Sequence, residues 1–362
     1  MGPDANAISL ESLSYRFGTK VVLDRLDLQV DPGECIAILG TSGCGKSTLL
    51  RVIAGLLTPA SGIVRLMGID QVRTAPHQRD IAVVSQAAGS YDHLTVEENL
   101  RLAERLSSLN RATKLSSKQK EDLLEQLEVL PLFGKKPPQL SGGQSQRVAI
   151  ARAFLSGRSI LLMDEPMAHL HEGLRDPIRS LIRKLQKTTA KTCIYITHDS
   201  AEACQMADRI AVLSEGTIQQ IDSPQEIYQN PANHHVANLF GRPPIQWFDP
   251  QSLGWGDPRN PIGVRPNDWK ILEINNDGNS SRGTEYGTAE QSAETPTRVM
   301  GVVREIQRIE SNVWIDVIMP PHAGSQLSEA TTLRVVCSED CTRDLPMVGE
   351  RIMLYPKHIY GW

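Results

Sequence analysis

The chain has 362 residues, 40% of them apolar and 22% charged, with 38 Lys and Arg against 42 Asp and Glu, for a net charge of -4. This is an ordinary globular composition with length for about two domains, and its acidic balance argues against a general nucleic-acid binder, which carries a basic excess. No apolar run reaches the ~20 residues of a bilayer-spanning helix, and the opening Met1-Gly-Pro-Asp-Ala-Asn lacks the basic and apolar regions of a signal peptide.

Residues 1–236 alternate short apolar runs with amphipathic stretches, the pattern of an α/β domain with a largely parallel sheet. A first inner strand is expected at Cys35–Leu39. It runs into Gly40-Thr41-Ser42-Gly43-Cys44-Gly45-Lys46-Ser47, which fits GxxxxGK[ST], and a helical pattern opens at Thr48. A bare Gly-rich turn could share the string, but strand, loop and helix in this order are the context the phosphate-binding motif requires. The glycines let backbone N–H groups close around phosphate oxygens at a helix N-terminus. Lys46 neutralises phosphate charge, and Ser47 offers a hydroxyl to Mg²⁺.

A second strand is expected at Ile81–Ser85, with Gln86 at its end. Residues 96–130 break the alternation and read as a mostly helical insertion, opened by a Thr95–Glu98 capping box. Leu140-Ser141-Gly142-Gly143-Gln144 starts another helix. Ser141 can cap it and the two glycines leave the first amides bare, so it makes a second anion site. The buried-strand run Ile160–Asp164 ends in two acids. Asp164 can join a Mg²⁺ shell and Glu165 can polarise a water as general base; read alone, the pair would be acids in a strand-end turn. Further strands are expected at Thr192–Thr197, just before His198, and at Arg209–Leu213. No Asn-Lys-x-Asp guanine reader and no GxGxxG with His-Arg-Asp is present, which argues against a GTPase or a protein kinase.

After Pro243-Pro244 the texture changes. Val313-Trp-Ile-Asp-Val and Arg351-Ile-Met-Leu alternate with period 2, so a β-rich domain is expected over 237–362, with a polar, flexible loop at about 275–297. The six cysteines, Cys35, Cys44, Cys193, Cys204, Cys337 and Cys341, form no paired CxxC sets and read as reduced thiols of a cytoplasmic protein.

Taken together these motifs resemble the nucleotide-binding subunits of ATP-binding cassette (ABC) transporters, and most of all those of bacterial importers of the maltose-transporter type, over nearly the whole chain. Met206-Ala-Asp-Arg-Ile, Asp222-Ser-Pro-Gln-Glu-Ile and Gly263-Val-Arg-Pro-Asn continue that pattern. The resemblance implies a P-loop NTPase core at 1–236 with a helical subdomain inserted at about 88–156. It implies a C-terminal β-rich, OB-like (TOBE-type) regulatory domain at 237–362. ATP would be held by Gly40, Thr41, Ser42, Gly43, Cys44, Gly45, Lys46, Ser47 and Thr48, with its adenine stacked on Phe17 (Tyr15 the fallback). Mg²⁺ would sit among Ser47, Gln86 and Asp164. Glu165, His198 as switch histidine and Gln86 as Q-loop glutamine would carry catalysis. Ser141, Gly142, Gly143 and Gln144 would close on the ATP of a second subunit, in a head-to-tail homodimer or a heterodimer with a related ATPase. The same resemblance implies transmembrane permease subunits docking around Tyr91 to Leu100, an extracytoplasmic solute-binding protein as indirect partner, no nucleic acid, and a peripheral place on the cytoplasmic face of the inner membrane.

Two departures stand out. Where the family has a D-loop of the Leu-Ser-Asn-Leu-Asp kind, this chain has Met167-Ala168-His169-Leu170-His171, and Ser145 replaces the usual Arg or Gln after the signature. Neither touches Lys46, Glu165 or His198, so an ATP-hydrolysing importer subunit is the leading reading. A weakly hydrolysing regulatory ATP-binding protein is the alternative that the odd D-loop motivates. A soluble ABC ATPase acting on ribosomes or DNA is a third, for which two cassettes or a long coiled-coil insertion would be usual. Sugar is the first cargo expected, with polyamine, sulfate and iron as the others.

Overall fold

A computed structural model describes residues 6–85, 90–105, 115–241, 244–248, 262–272, 299–309, 312–319, 331–338, 346, 348, 351–356 and 360–361. The expected loop at 275–297 lies outside them. The chain divides into two compact units, Met1–Val236 and Ala237–Trp362.

The first unit opens with an antiparallel hairpin, β1 (Ile8–Phe17) and β2 (Lys20–Val30), followed by β3 (Cys35–Leu39) and α1 (Lys46–Ile53). Strands β4 (Ser61–Leu66) and β5 (Ile69–Asp70) complete a four-stranded sheet in the order β2-β1-β4-β5. After β6 (Ile81–Val84) the chain leaves the strands for α2 (Val96–Arg105), α3 (Ser117–Gln126) and α4 (Gly142–Leu155). It returns through β7 (Ile160–Asp164), α5 (Glu172–Thr188), β8 (Thr192–Thr197), α6 (Ser200–Met206), β9 (Arg209–Ser214) and β10 (Thr217–Asp222). The six-stranded sheet has the order β10-β9-β3-β8-β7-β6, parallel except for β10. All five strands expected from the sequence are present in it, within one residue of the expected ends.

The central strands are apolar on both faces because both faces are covered. Along β7 and β8, Leu161, Met163, Cys193 and Tyr195 join the core formed with α2–α5. The alternate residues Ile160, Leu162, Ile194 and Ile196 join the core formed with α1 and the four-stranded sheet. A parallel sheet sandwiched this way reads as continuous hydrophobic runs, and each such side chain contributes about 1.5–3 kcal/mol by leaving water. Helix α5 presents Ile178, Leu181, Ile182 and Leu185 to the core at the spacing of one helical face. Buried Arg79 serves α1: its guanidinium donates to the carbonyls of Val52 and Ile53, at 3.3 and 2.6 Å, at the helix's C-terminal end.

Helix α5 is also tied to the strands by charge. Arg183 and Lys187 each donate to Asp208, both at 2.7 Å, and the Cys35 N–H donates to the same carboxylate at 2.9 Å. Burial alone would raise the Asp208 pKa, but the donors from Arg183, Lys187 and Cys35 outweigh it and hold the carboxyl at about 2. A carboxyl depressed below its unfolded value of about 3.9 adds stability that is complete above that value and is lost as pH falls toward about 2. Asp208→Asn is therefore expected to lower stability at pH 7 by about 2 kcal/mol. It should also flatten the acid limb of the stability profile between about pH 4 and 2, both read by denaturant unfolding across that range.

The second unit is antiparallel. Strands β11 (Gln246–Phe248), β12 (Ile262–Val264) and β18 (Tyr360–Gly361) make a three-stranded sheet. The other sheet has five strands in the order β13-β17-β14-β15-β16, namely β13 (Trp269–Leu272), β14 (Val299–Ile309), β15 (Asn312–Met319), β16 (Thr331–Ser338) and β17 (Arg351–Pro356). Both period-2 runs noted in the sequence are strands of this sheet. In β15, Val313, Ile315, Val317 and Met319 point into the core, where Phe248 and Trp269 meet edge to face at 6.2 Å. On the other face, Arg334 pairs with Asp316 across β15 and β16 and lies over the Trp314 ring. Within Gly263-Val-Arg-Pro-Asn, Arg265 is buried and donates to the Phe240 carbonyl at 2.6 Å.

Candidate nucleotide site

The loop between β3 and α1 has the shape its glycines permit. Gly43 and Gly45 have φ of +83° and +114°, which L side chains rarely adopt, and a Cβ on Gly40 would lie 2.3 Å from the Leu213 carbonyl oxygen. Lys46, only 6% exposed, folds back over the loop and donates to the carbonyls of Gly40 and Thr41 at 2.8 and 2.9 Å. An ammonium has three donors, so one remains for an incoming phosphate. Burial pushes the Cys44 thiol up, against the pull of Lys46.

At the carboxyl end of β7 the two acids take different surroundings. Asp164 accepts a hydrogen bond from the Ser47 hydroxyl at 3.2 Å. Burial raises its pKa, the Ser47 bond opposes that rise, and neighbouring Glu165 adds to it. This half-buried carboxylate beside a hydroxyl is an oxygen donor pair of the kind Mg²⁺ takes together with phosphate oxygens, so Ser47 and Asp164 fit the ion. Among the described residues no group of three or more His, Cys, Asp and Glu gathers to hold a metal. Glu165 stands in the left-handed region at φ +47° and its N–H donates to the Ile196 carbonyl at 3.0 Å. That backbone costs about 1–3 kcal/mol of strain. It brings the carboxylate Oε1 to 3.1 Å from Nδ1 of His198, whose ring is 64% exposed. An ionised carboxylate only accepts, so Nδ1 carries the shared hydrogen.

Glu165 joins two neighbouring clefts. One, of about 240 Å³, is lined by Lys46, Ser47, Thr48 and the loop glycines. The other, of about 250 Å³, is lined by His198, Ala168, Arg175, Arg179 and Glu202. Phe17 ends β1 and is 77% exposed, whereas Tyr15 is half-buried against the core, so Phe17 is the more open of the two aromatics. Ser141 caps α4 as expected: its hydroxyl accepts from the Gln144 N–H and the Gln144 amide oxygen accepts from the Ser141 N–H. Ser141, Gly142, Gly143 and Gln144 line neither cleft. Gly143 has a further reason to be glycine, since a Cβ there would sit 2.9 Å from the His169 carbonyl oxygen. Gln86 lies outside the described residues.

The unusual His171 has a defined place. It is the N-cap of α5, and its Nδ1 accepts from the Gly173 N–H at 3.3 Å. Asp is a stronger N-cap than His, and its charge suits the positive end of a helix. His171→Asp is expected to stabilise the chain by about 0.5–1 kcal/mol, seen as a rise of about 1–4 °C in melting temperature.

One support of the phosphate loop is not legible from motifs. The turn between β9 and β10 packs against it: the Gly216 N–H donates to the Cys44 carbonyl at 3.1 Å, and the Gly216 carbonyl accepts from the Asp24 N–H at 3.0 Å. A Cβ on Gly216 would lie 2.4 Å from the Val22 carbonyl oxygen. The only trace in the sequence is Glu215-Gly216 between two strand patterns, an ordinary turn signal.

A phosphate loop leading from a parallel strand into a helix, with two acids at the end of a neighbouring strand and a capped Ser-Gly-Gly helix on the same chain, defines a nucleotide-binding cassette. Residues 23–168 match the ABC transporter family model. The chain is 34% identical to the diacetylchitobiose uptake system ATP-binding protein of Streptomyces coelicolor, over 83% of each chain. It is 42% identical to the xylose/arabinose import ATP-binding protein of Haloferax volcanii and 41% identical to a sulfate/thiosulfate import ATP-binding protein of Chromobacterium violaceum. Those matches cover 66% and 65% of this chain but only 62% and 63% of the relatives' own lengths. Among solved structures it is similar to a dimeric ATP-binding cassette in a post-hydrolysis state bound to ADP and phosphate (TM-score 0.52, 30% identity, 60% of this chain and 98% of that one). The chain belongs to the ABC transporter family.

Proposed function

We propose that this chain hydrolyses ATP to drive an importer, and that it does so as one of two cassettes sharing each nucleotide. The observation that carries this reading is the Glu165–His198 pair, whose Glu165 lines the phosphate-loop cleft together with Ser47, itself bonded to Asp164. In this reading Lys46 binds the phosphates with its remaining donor and keeps the loop closed with the other two. Ser47 and Asp164 hold Mg²⁺, with Gln86 the third expected contact. Bound between these residues, Mg²⁺ would supply positive charge to offset that on the phosphoryl oxygens during transfer. Glu165 orients a water and accepts its proton. His198 donates through Nδ1 to Glu165, which fixes the carboxylate and leaves Nε2 for the reacting phosphate or water.

A single chain brings Ser141–Gln144 to neither cleft, which supports a second cassette supplying that helix start. Phe17, the more open of the two aromatics, suits adenine stacking. His171 caps its helix and leaves Lys46, Glu165 and His198 in place, so the D-loop departure gives no reason to prefer a silent regulator. A membrane permease completes the machine. No helix among the described residues is long and apolar enough to cross a membrane, and the segment from Tyr91 to Leu100 is our choice for the docking point. Buried Asn99 braces it, bonding to the N–H and carbonyl of Tyr91 and to the carbonyls of Leu94 and Thr95. The chain then works at the cytoplasmic face of the membrane, with a solute-binding protein delivering cargo to the permease from the other side. Carbohydrate is the cargo we infer, because the diacetylchitobiose relative is similar over 83% of both chains. The test is inorganic phosphate release from Mg²⁺ATP by the purified chain, followed by sugar uptake in cells lacking the gene. Absence of phosphate release with the permease present rejects the reading.

A further inference from the structure

We infer that Glu202, which no motif singles out, is a positioning residue for His198, acting through the hydroxyls of Thr197 and Tyr195; this rests on the reading of His198 given above. Glu202 sits in the first turn of α6, where an acidic side chain normally stays in water. Here it is only 8% exposed, and its carboxylate turns inward to accept from the Tyr195 hydroxyl with one oxygen and the Thr197 hydroxyl with the other. Tyr195 and Thr197 are themselves buried in β8. Hydrogen bonds to an ionised acceptor are the strong kind, and more so away from water.

The consequence falls on His198, which lies between the residues so tied. The Thr197 hydroxyl donates to Glu202 and also accepts from the Asp199 N–H at 3.1 Å. The Asp199 carboxylate in turn accepts from the N–H groups of Ala201 and Glu202, at 2.8 and 3.3 Å. His198 is thus bracketed by a closed ring of hydrogen bonds running Thr197, Glu202, Asp199. Its own ring is mostly exposed, and the side-chain bond it makes is the one to Glu165. A side chain with so few contacts holds its aim through its backbone, and the buried Glu202 network fixes that backbone. Arg179 of α5 lines the same cleft, as does Arg175, and is engaged by Asp176 and Gln205.

Glu202→Gln keeps the shape but leaves one acceptor oxygen where two donors converge, so one hydroxyl hydrogen loses its acceptor. Thr197→Val removes the relay hydroxyl at nearly equal volume, and Thr197→Ser restores it. In the full-length protein, Glu202→Gln and Thr197→Val are expected to lower kcat about tenfold, the loss that goes with one misaligned hydrogen bond at a reacting centre. The KM for ATP and the number of ATP molecules bound per chain should be unchanged, and Thr197→Ser should keep at least half of the wild-type kcat. Because the phosphate cradle is untouched, this split distinguishes positioning from a general loss of folded protein, which would lower the binding stoichiometry in step with kcat. His198→Ala is measured alongside. If it loses turnover while Glu202→Gln and Thr197→Val keep theirs, the positioning role is overturned and the reading of His198 stands. If His198→Ala keeps wild-type turnover, that reading falls and the inference falls with it.

Discussion

Glu165→Gln is expected to lower ATP turnover by a hundredfold or more, the contribution of a positioned general base being about 10²–10⁴, while ATP affinity stays within about twofold. The substitution is close to isosteric. The backbone that aims the side chain, at φ +47° and bonded through its N–H to Ile196, does not depend on the carboxylate. What changes is chemical: an amide oxygen cannot take up the proton of an attacking water, and the Nδ1–H of His198 loses a charged partner. Binding is spared because Lys46, Ser47 and the loop amides are unaltered. Phosphate release and nucleotide titration on the same preparation check both halves, and wild-type turnover would remove Glu165 from the mechanism.

Lys46→Ala should act the other way round, on binding first. The ammonium is nearly enclosed by the loop, with two donors on Gly40 and Thr41, which leaves the third for phosphate. Its loss removes a charge-assisted contact in a partly dry site, costing about 2–3 kcal/mol, or about 30- to 150-fold in affinity. It also frees two carbonyls that shape the loop. Titration with a fluorescent ATP analogue measures the effect, and unchanged affinity would contradict the assignment of this loop to phosphate.

The elements legible in the sequence share a physical reason. β3, β7 and β8 are buried on both faces, so their apolar runs are unbroken. The phosphate loop and the start of α4 are specified by local conformation and capping, which neighbouring residues alone determine. β1 and β2 were not legible, because register shifts at Leu10–Leu13 and Leu13–Tyr15, with Ser12 and Arg25 at positive φ, break the period-2 pattern that marks a strand. The supports of the site were hidden for another reason. Gly216 against Cys44, Arg79 on the end of α1 and Glu202 turned into β8 join residues distant in sequence or reverse the usual exposure of a charge, and only the fold brings them together. His171 lay between these cases. Its position marked it as a departure, but its use as a helix cap follows from the backbone.

If one chain supplies half of each ATP site, the full-length Glu165→Gln protein changes mass in sedimentation when Mg²⁺ATP is added. The expected result is a shift from one chain of 40.0 kDa to two with ATP, reversed by replacing ATP with ADP and abolished by a further Lys46→Ala change. A protein that binds ATP at full stoichiometry and remains a single chain at every concentration would contradict it.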